Sequence, residues 1–278
     1  MRNRPVTPLF FAVLGSGLVV ALWLFSRFGG AGESLNTAVS DFGGVIVISL
    51  CALAVIRSAF QLGAGPLRTQ WLFIGAGVAS FAMGDLVWAY IEVIRGAEVP
   101  YPGLPDAFYL LQYALLGLGI MLAGVAYRGL FDIRRPALVA AASSVALSVG
   151  LWLLFLGTLW SHTESALGER ILNVAYPLAD MLLLAGPALF VLLITRRLQG
   201  GRLGRPWIAL CGGALLLAVT DTAYSFLAAE NAYEAGMLVD YGWMIAFVLI
   251  ATGALIVLQL ALPQQKPAEK PEQLQQSA

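Results

Sequence analysis

Apolar residues run along this chain in long blocks, each bounded by a short cluster of Gly, Pro or charged residues. A helix needs about 20 largely apolar residues to cross a hydrocarbon core about 30 Å thick. By that measure the blocks predict eight transmembrane helices, at about 8–25, 43–60, 70–94, 106–127, 137–158, 175–195, 206–229 and 238–262. Lipid offers backbone amides no partners, so spanning segments are expected to be helical throughout. The fold class that follows is all-α, a polytopic membrane helix bundle occupying residues 1–263. Residues 264–278, ending in KPAEKPEQLQQSA, are polar and rich in Pro and Gln, the composition of a disordered cytoplasmic tail.

Composition removes the soluble alternative. Hydrophobic residues make up 59% of the sequence and charged residues 12%, with mean hydropathy +0.82. A water-soluble domain of 278 residues cannot hide that much apolar side chain. Arg2 and Arg4 precede the first apolar block as in a signal peptide, but no small-x-small cleavage site follows, so this block reads as an uncleaved helix.

The net charge is zero, yet the signs are segregated. Arg2, Arg4, Arg57, Arg68, Arg128, Arg134, Arg135, Arg196, Arg197, Arg202, Arg205, Lys266 and Lys270 all fall on one side of the predicted spans; Arg27, Arg95 and Arg170 fall on the other. The positive-inside rule then places both termini in the cytoplasm. The outer loops carry Glu33, Glu98, Glu164, Glu169, Glu230 and Glu234.

The two halves repeat, about 8–127 and 137–262. Asp41 and Arg57 bracket the second span with the separation that Asp180 and Arg196 show around the sixth. Trp71 and Asp85 match Trp207 and Asp221, and Asp106 answers Asp240. Four spans per unit is an even number, so the repeat is expected to be parallel, about an axis along the membrane normal.

Candidate chemistry lies in the acids. Asp41, Asp106, Asp180 and Asp240 fall at the predicted outer ends of inward-running helices, with Pro105 and Pro177 just upstream of two of them. Capping alone accounts for an acid there, at about 0.3–2 kcal/mol, so capping and function stay open for all four. Asp85 and Asp221 lie well inside outward-running spans, where no cap explains them. An ionisable group at that depth costs at least about 2.5–3.5 kcal/mol and faces a wet cavity or the bundle interior. It marks a pocket, or it clamps two helices through a hydrogen bond.

Helical spacing puts Phe81, Asp85, Trp88 and Glu92 on one face, and Asp106, Tyr109, Tyr113 and Gly117 on another. Asp221 with Tyr224, and Asp240 with Trp243 and Phe247, repeat the arrangement. Carboxylates among aromatic faces suit a small organic cation or a polar ring. The candidate ligand-binding set is therefore Asp85, Trp88, Asp106, Tyr109, Tyr113, Asp180, Asp221, Tyr224, Asp240 and Trp243.

Other motifs add little. Trp23 and Trp160 read as interfacial belt residues. Gly75, Gly77, Gly117, Gly119, Gly212 and Gly213 read as points of close helix approach. The two cysteines, Cys51 and Cys211, fall in apolar blocks, and the one histidine, His162, lies in a loop beside Glu164. No metal site, cofactor or nucleic-acid partner is expected, and no P-loop, nucleophile elbow or HExxH motif is present.

The segments GDLVWAY (84–90), PGLPDAFYLLQY (102–113), AYPLADMLLLA (175–185) and TDTAY (220–224) resemble the multi-pass N-terminal membrane region of bacterial cyclic-di-GMP signalling proteins. In that family the region precedes GGDEF or EAL catalytic domains. The resemblance implies a membrane sensory module. No catalytic domain follows Pro263, so cyclase or phosphodiesterase activity is not carried over and a separate cytoplasmic signalling protein would receive the signal. More faintly, Gly84-Asp85 and GALLLAVTD (213–221) are similar to the paired aspartate motifs of YhhN-type lysoplasmalogenases, with Thr220 where that family has serine. This second resemblance implies that Asp85 and Asp221 are an acid/base pair acting on a lysolipid.

The expected function is thus a membrane module that senses or binds a small extracytoplasmic ligand or a proton through an acidic-aromatic pocket. The alternatives are a lysolipid hydrolase and a small-solute transporter.

Overall fold

The computed structural model describes residues 7–30, 32–161, 166–196, 198, 201–230 and 232–262. Arg2, Arg4, His162, Glu164, Arg197, Lys266, Lys270 and the tail lie outside the described residues, as does the Glu33 side chain. Eight helices are long and apolar enough to cross a membrane: α1 (Pro8–Phe28), α2 (Ser34–Gln61), α3 (Pro66–Ile94), α4 (Leu104–Gly129), α5 (Arg134–Ser161), α6 (Leu167–Thr195), α7 (Arg205–Ala229) and α8 (Leu238–Ala261). No strand occurs among the described residues. The chain is a multi-pass, all-helical membrane protein.

Two helices start earlier than the apolar pattern predicts. α2 begins near residue 34, not 43, and α6 at Leu167, not near 175. The polar residues that end each apolar block are helical because neighbours satisfy their side chains. Asn36 Nδ2 donates to the Ala235 carbonyl at 3.1 Å, Ser40 donates to Asp240 at 2.8 Å, and Asn173 accepts from Tyr101 at 2.8 Å.

α3 packs most extensively on α4; α7 with α8 and α2 with α3 follow equally, and then α2 with α8. α4 meets α6 on the opposite side of the bundle, while α1 lies against α8 and α5 against α6. Buried Trp71, Ile74, Leu116, Ile120, Leu210, Leu217 and Ile250 fill the centre. Their exposed counterparts are also apolar, Leu153 and Leu154 among them, as expected of a surface solvated by lipid.

Small residues set the tight crossings. A Cβ on Gly77 would lie 2.9 Å from the Leu116 amide nitrogen, and one on Gly213 would lie 2.5 Å from the Ala246 carbonyl oxygen. Backbone cannot give way as a flexible side chain can, so α3 meets α4, and α7 meets α8, only because these positions lack a side chain. Gly212 is different: nothing lies within 4 Å of a Cβ there, so it sets no helix contact.

Candidate functional site

A cavity of about 400 Å³ opens among α2, α3, α4, α6, α7 and α8. It lies at the end of the bundle where the α3–α4 and α7–α8 connections run, because Tyr101 and Tyr233 from those connections line it. Asp41, Asp85, Asp106, Asp221 and Asp240 also line it, with Phe81, Trp88, Tyr109, Tyr113, Tyr176, Tyr224 and Trp243. Among the described residues, none that lines it is Lys, Arg or His. The described wall is therefore acidic and aromatic.

On one side stand Asp41 of α2 and Asp85 of α3. Tyr109 donates to Asp85 Oδ1 at 2.9 Å. Gly84 makes that bond possible, since a Cβ there would lie 2.5 Å from the Tyr109 ring. The other oxygen, Asp85 Oδ2, points toward Gly44, 3.6 Å from where a Cβ would sit. Gly44 is one helical turn from Asp41, so Asp41 and Asp85 share this corner. The Asp41 carboxyl is hydrogen-bonded to that of Glu92, while Asp41 Oδ2 is buried and has no hydrogen-bond partner.

The opposite side holds Asp180 of α6 and Asp221 of α7. The Tyr113 hydroxyl lies 3.0 Å from Asp180 Oδ1 and 2.8 Å from Asp221 Oδ2. Trp243 Nε1 donates to Asp221 Oδ1 at 2.6 Å. Both Asp221 oxygens are thus engaged, and one tyrosine of α4 ties α6 to α7. Asp180 has no exposed surface and does not line the cavity, and its Oδ2 is buried without a hydrogen-bond partner.

The four acids predicted at helix starts divide two and two. Asp106 is in the first turn of α4 and accepts from the Gly103 amide at 2.7 Å. Asp240, in the first turn of α8, accepts from the Gly236 amide at 2.6 Å. Asp106 also accepts from Tyr176 at 2.5 Å, and Asp240 from Tyr233 at 2.9 Å. Both carboxylates cap a helix and hold a neighbouring phenol. Asp41 and Asp180 do not cap, because α2 and α6 begin two or more turns before them. Pro177 correspondingly lies inside α6, and a π-helical turn from Asp180 to Ala185 follows it. Proline lacks the N–H that an α-helical ladder needs, and a wider turn absorbs the defect while aiming Asp180 inward.

The remaining predicted residues join the wall in different ways. Trp88 Nε1 donates to Glu92 on the same helix. Tyr224 packs against Tyr233 and Trp243, with ring centroids 4.9 and 5.4 Å away. Phe81 lies 5.0 Å from the Tyr109 ring and 4.8 Å from Phe247. Burial, with Asp106 nearby, raises the Tyr101 phenol above its usual range; burial beside Asp240 does the same for Tyr233.

Sequence reasoning missed Tyr176, Tyr233, Ser40 and Gln112. Tyr176 precedes Asp180 by one helical turn and could have been found by spacing. Gln112 is a lone amide inside an apolar block; it is 1% exposed, lines the cavity, and its Nε2 has no partner. No cluster of His, Cys, Asp or Glu able to hold a metal ion occurs among the described residues, and Cys51 and Cys211 are buried free thiols.

No family model matches the chain, and no curated protein or solved structure is similar to it.

Proposed function

We propose that this protein is a membrane sensory or binding module that takes a small extracytoplasmic molecule into its acidic-aromatic cavity and passes a helix rearrangement to a separate cytoplasmic partner. The carrying observation is the cavity itself. Its volume of about 400 Å³ falls within the range of small-molecule sites, and its wall joins buried carboxylates to aromatic faces. With no counter-charge among the described lining residues, the acids leave that role to whatever binds.

The cavity end carries Arg27, Arg95 and Arg170, while Arg57, Arg68, Arg128, Arg134, Arg135, Arg196, Arg202 and Arg205 lie at the other end of the helices or beyond it. This asymmetry supports an inner-membrane orientation with both termini cytoplasmic and the cavity facing out. Matched contacts support two parallel four-helix repeats. Gly77 approaches Leu116 as Gly213 approaches Ile250; Tyr109 donates to Asp85 as Trp243 donates to Asp221; and Trp71 and Trp207 stack with centroids 6.3 Å apart. In that arrangement ligand bound between the halves would alter how one sits on the other, and α2, α4, α6 and α8 would carry the change inward.

A lysolipid hydrolase is the second reading, favoured by Asp85 and Asp221 sharing one cavity. It ranks below binding because both Asp221 oxygens already accept hydrogen bonds. The test is a thermal-unfolding screen of small solutes against protein in lipid nanodiscs, beside the cavity-filling Gly44→Phe variant. The binding reading expects a subset of solutes to raise Tm of the parent and not of the variant. Stabilisation by none, or equal stabilisation of both, contradicts it. Release of aldehyde or headgroup from a lysolipid, lost in Asp85→Asn, would establish the hydrolase instead.

A further inference from the structure

The hydrogen-bonding groups left over in the cavity narrow the class of ligand. Most polar atoms in the wall already have partners: both oxygens of Asp106, of Asp221 and of Asp240 accept from the protein. Among the described wall residues, the buried polar atoms without a partner are at Asp41, which shares a corner with Asp85, and at Gln112. Asp41 Oδ2 is a buried acceptor with no donor, and Asp85 Oδ2 points across the space that Gly44 leaves open. Gln112 Nε2 is the opposite case, a buried donor with no acceptor.

Resting on the binding function above, we propose that the ligand is a small primary ammonium compound carrying a hydrogen-bond acceptor and a flat apolar body. The carboxylates at Asp41 and Asp85 call for positive charge and for N–H donors together. A quaternary ammonium supplies the charge but no donor, and would leave both acceptor oxygens unpaired in a low-dielectric site. An alcohol supplies a donor without charge. Gln112 Nε2 requires an acceptor on the same molecule, such as an ether, carbonyl or hydroxyl oxygen. Phe81, Tyr109 and Trp243 offer aromatic surface to the body of the ligand. The Asp180–Asp221 side has no part in recognition: Tyr113 and Trp243 engage both Asp221 oxygens, and Asp180, whose Oδ2 lacks a partner, does not line the cavity.

The probes are 2-phenoxyethylamine, its N,N,N-trimethyl analogue, 2-phenoxyethanol, and 3-phenylpropylamine, in which a methylene replaces the ether oxygen. Each is titrated against protein in nanodiscs by tryptophan fluorescence, with thermal stabilisation as the second readout. The primary ammonium ether should bind saturably, the trimethyl compound at least tenfold more weakly, and the alcohol without saturation. Asp41→Asn and Asp85→Asn should each weaken the ammonium ether at least tenfold; two variants guard against one failing to fold. 3-Phenylpropylamine should bind several-fold more weakly than the ether in the parent. Gln112→Leu should erase that difference, which loss of packing alone would not do. Equal binding of trimethyl and primary compounds, or preference for the alcohol, overturns the ligand class while leaving a binding cavity intact. Absence of binding by every amine overturns the class as well; whether the cavity binds anything is then decided by the solute screen with Gly44→Phe.

Discussion

The two pairs of buried carboxylates, one on each side of the cavity, are built from the same residue types and have different fates. At Asp180 and Asp221 the Tyr113 hydroxyl and the Trp243 indole engage three of the four carboxyl oxygens; Asp180 Oδ2 has no partner and does not line the cavity. At Asp41 and Asp85 Tyr109 donates to Asp85, Glu92 is hydrogen-bonded to Asp41, and Asp41 Oδ2 is left over beside the cavity. In the proposed repeat the position answering Tyr113 is Phe247, which has no hydroxyl and packs on Phe81. What separates the helix clamp from the proposed binding corner is the missing hydroxyl together with access: Asp41 and Asp85 line the cavity and Asp180 does not. An intramembrane acid is therefore not by itself a site; the donors around it and its access to a cavity decide together.

The largest effect expected from breaking this contrast is at Tyr113. Tyr113→Phe removes the hydroxyl that Asp180 Oδ1 and Asp221 Oδ2 share and should lower unfolding free energy by about 2 kcal/mol in detergent or nanodisc denaturation. Tyr224→Phe keeps its ring contacts and serves as the control, with a loss under about 1 kcal/mol. A smaller shift in the opposite direction is expected at Asp41. Asp41→Leu removes a buried oxygen without a partner and a carboxyl set against that of Glu92, so stability should hold or rise by up to about 1 kcal/mol while binding of a primary ammonium is lost. Comparable destabilisation by Asp41→Leu and Tyr113→Phe would erase the distinction between the two corners.

The smallest effect is one of pH at the cavity mouth. The Tyr233 phenol is raised above its usual value by burial and by Asp240. Its native state therefore holds the proton more tightly than the unfolded chain, and its contribution is fully present below about pH 10 and lost as pH rises beyond. Unfolding free energy should fall above about pH 10, less steeply in Tyr233→Phe. An unchanged slope in that variant would show that Tyr233 is not the group responsible.

Much of this was legible in the chain. Long apolar blocks announce helices because a bilayer leaves the backbone no other choice, and Asp85 and Asp221 stood out because no cap could explain them. The helix starts were harder to read. Asn36, Ser40 and Asn173 resemble loop residues until the neighbours that satisfy them are known, and missing those turns made Asp41 and Asp180 look like caps. Tyr233 carried no signal, since its partner Asp240 is reached through a connection whose path the sequence does not specify. The difference between the two corners was also hidden. Tyr113 and Phe247 both read as aromatic wall residues, and only the placement of a hydroxyl between two carboxylates separates their roles.

The most direct test of the open corner uses thiol accessibility in intact cells, in a background with Cys51 and Cys211 replaced by alanine. The Asp41→Cys thiol should react with a membrane-impermeant cationic methanethiosulfonate added outside, faster than with its anionic counterpart, while the Asp180→Cys thiol should resist both. Equal labelling of the two positions, or labelling of Asp41→Cys only after the cytoplasmic face is exposed, would contradict an outward-facing acidic site at Asp41 and Asp85.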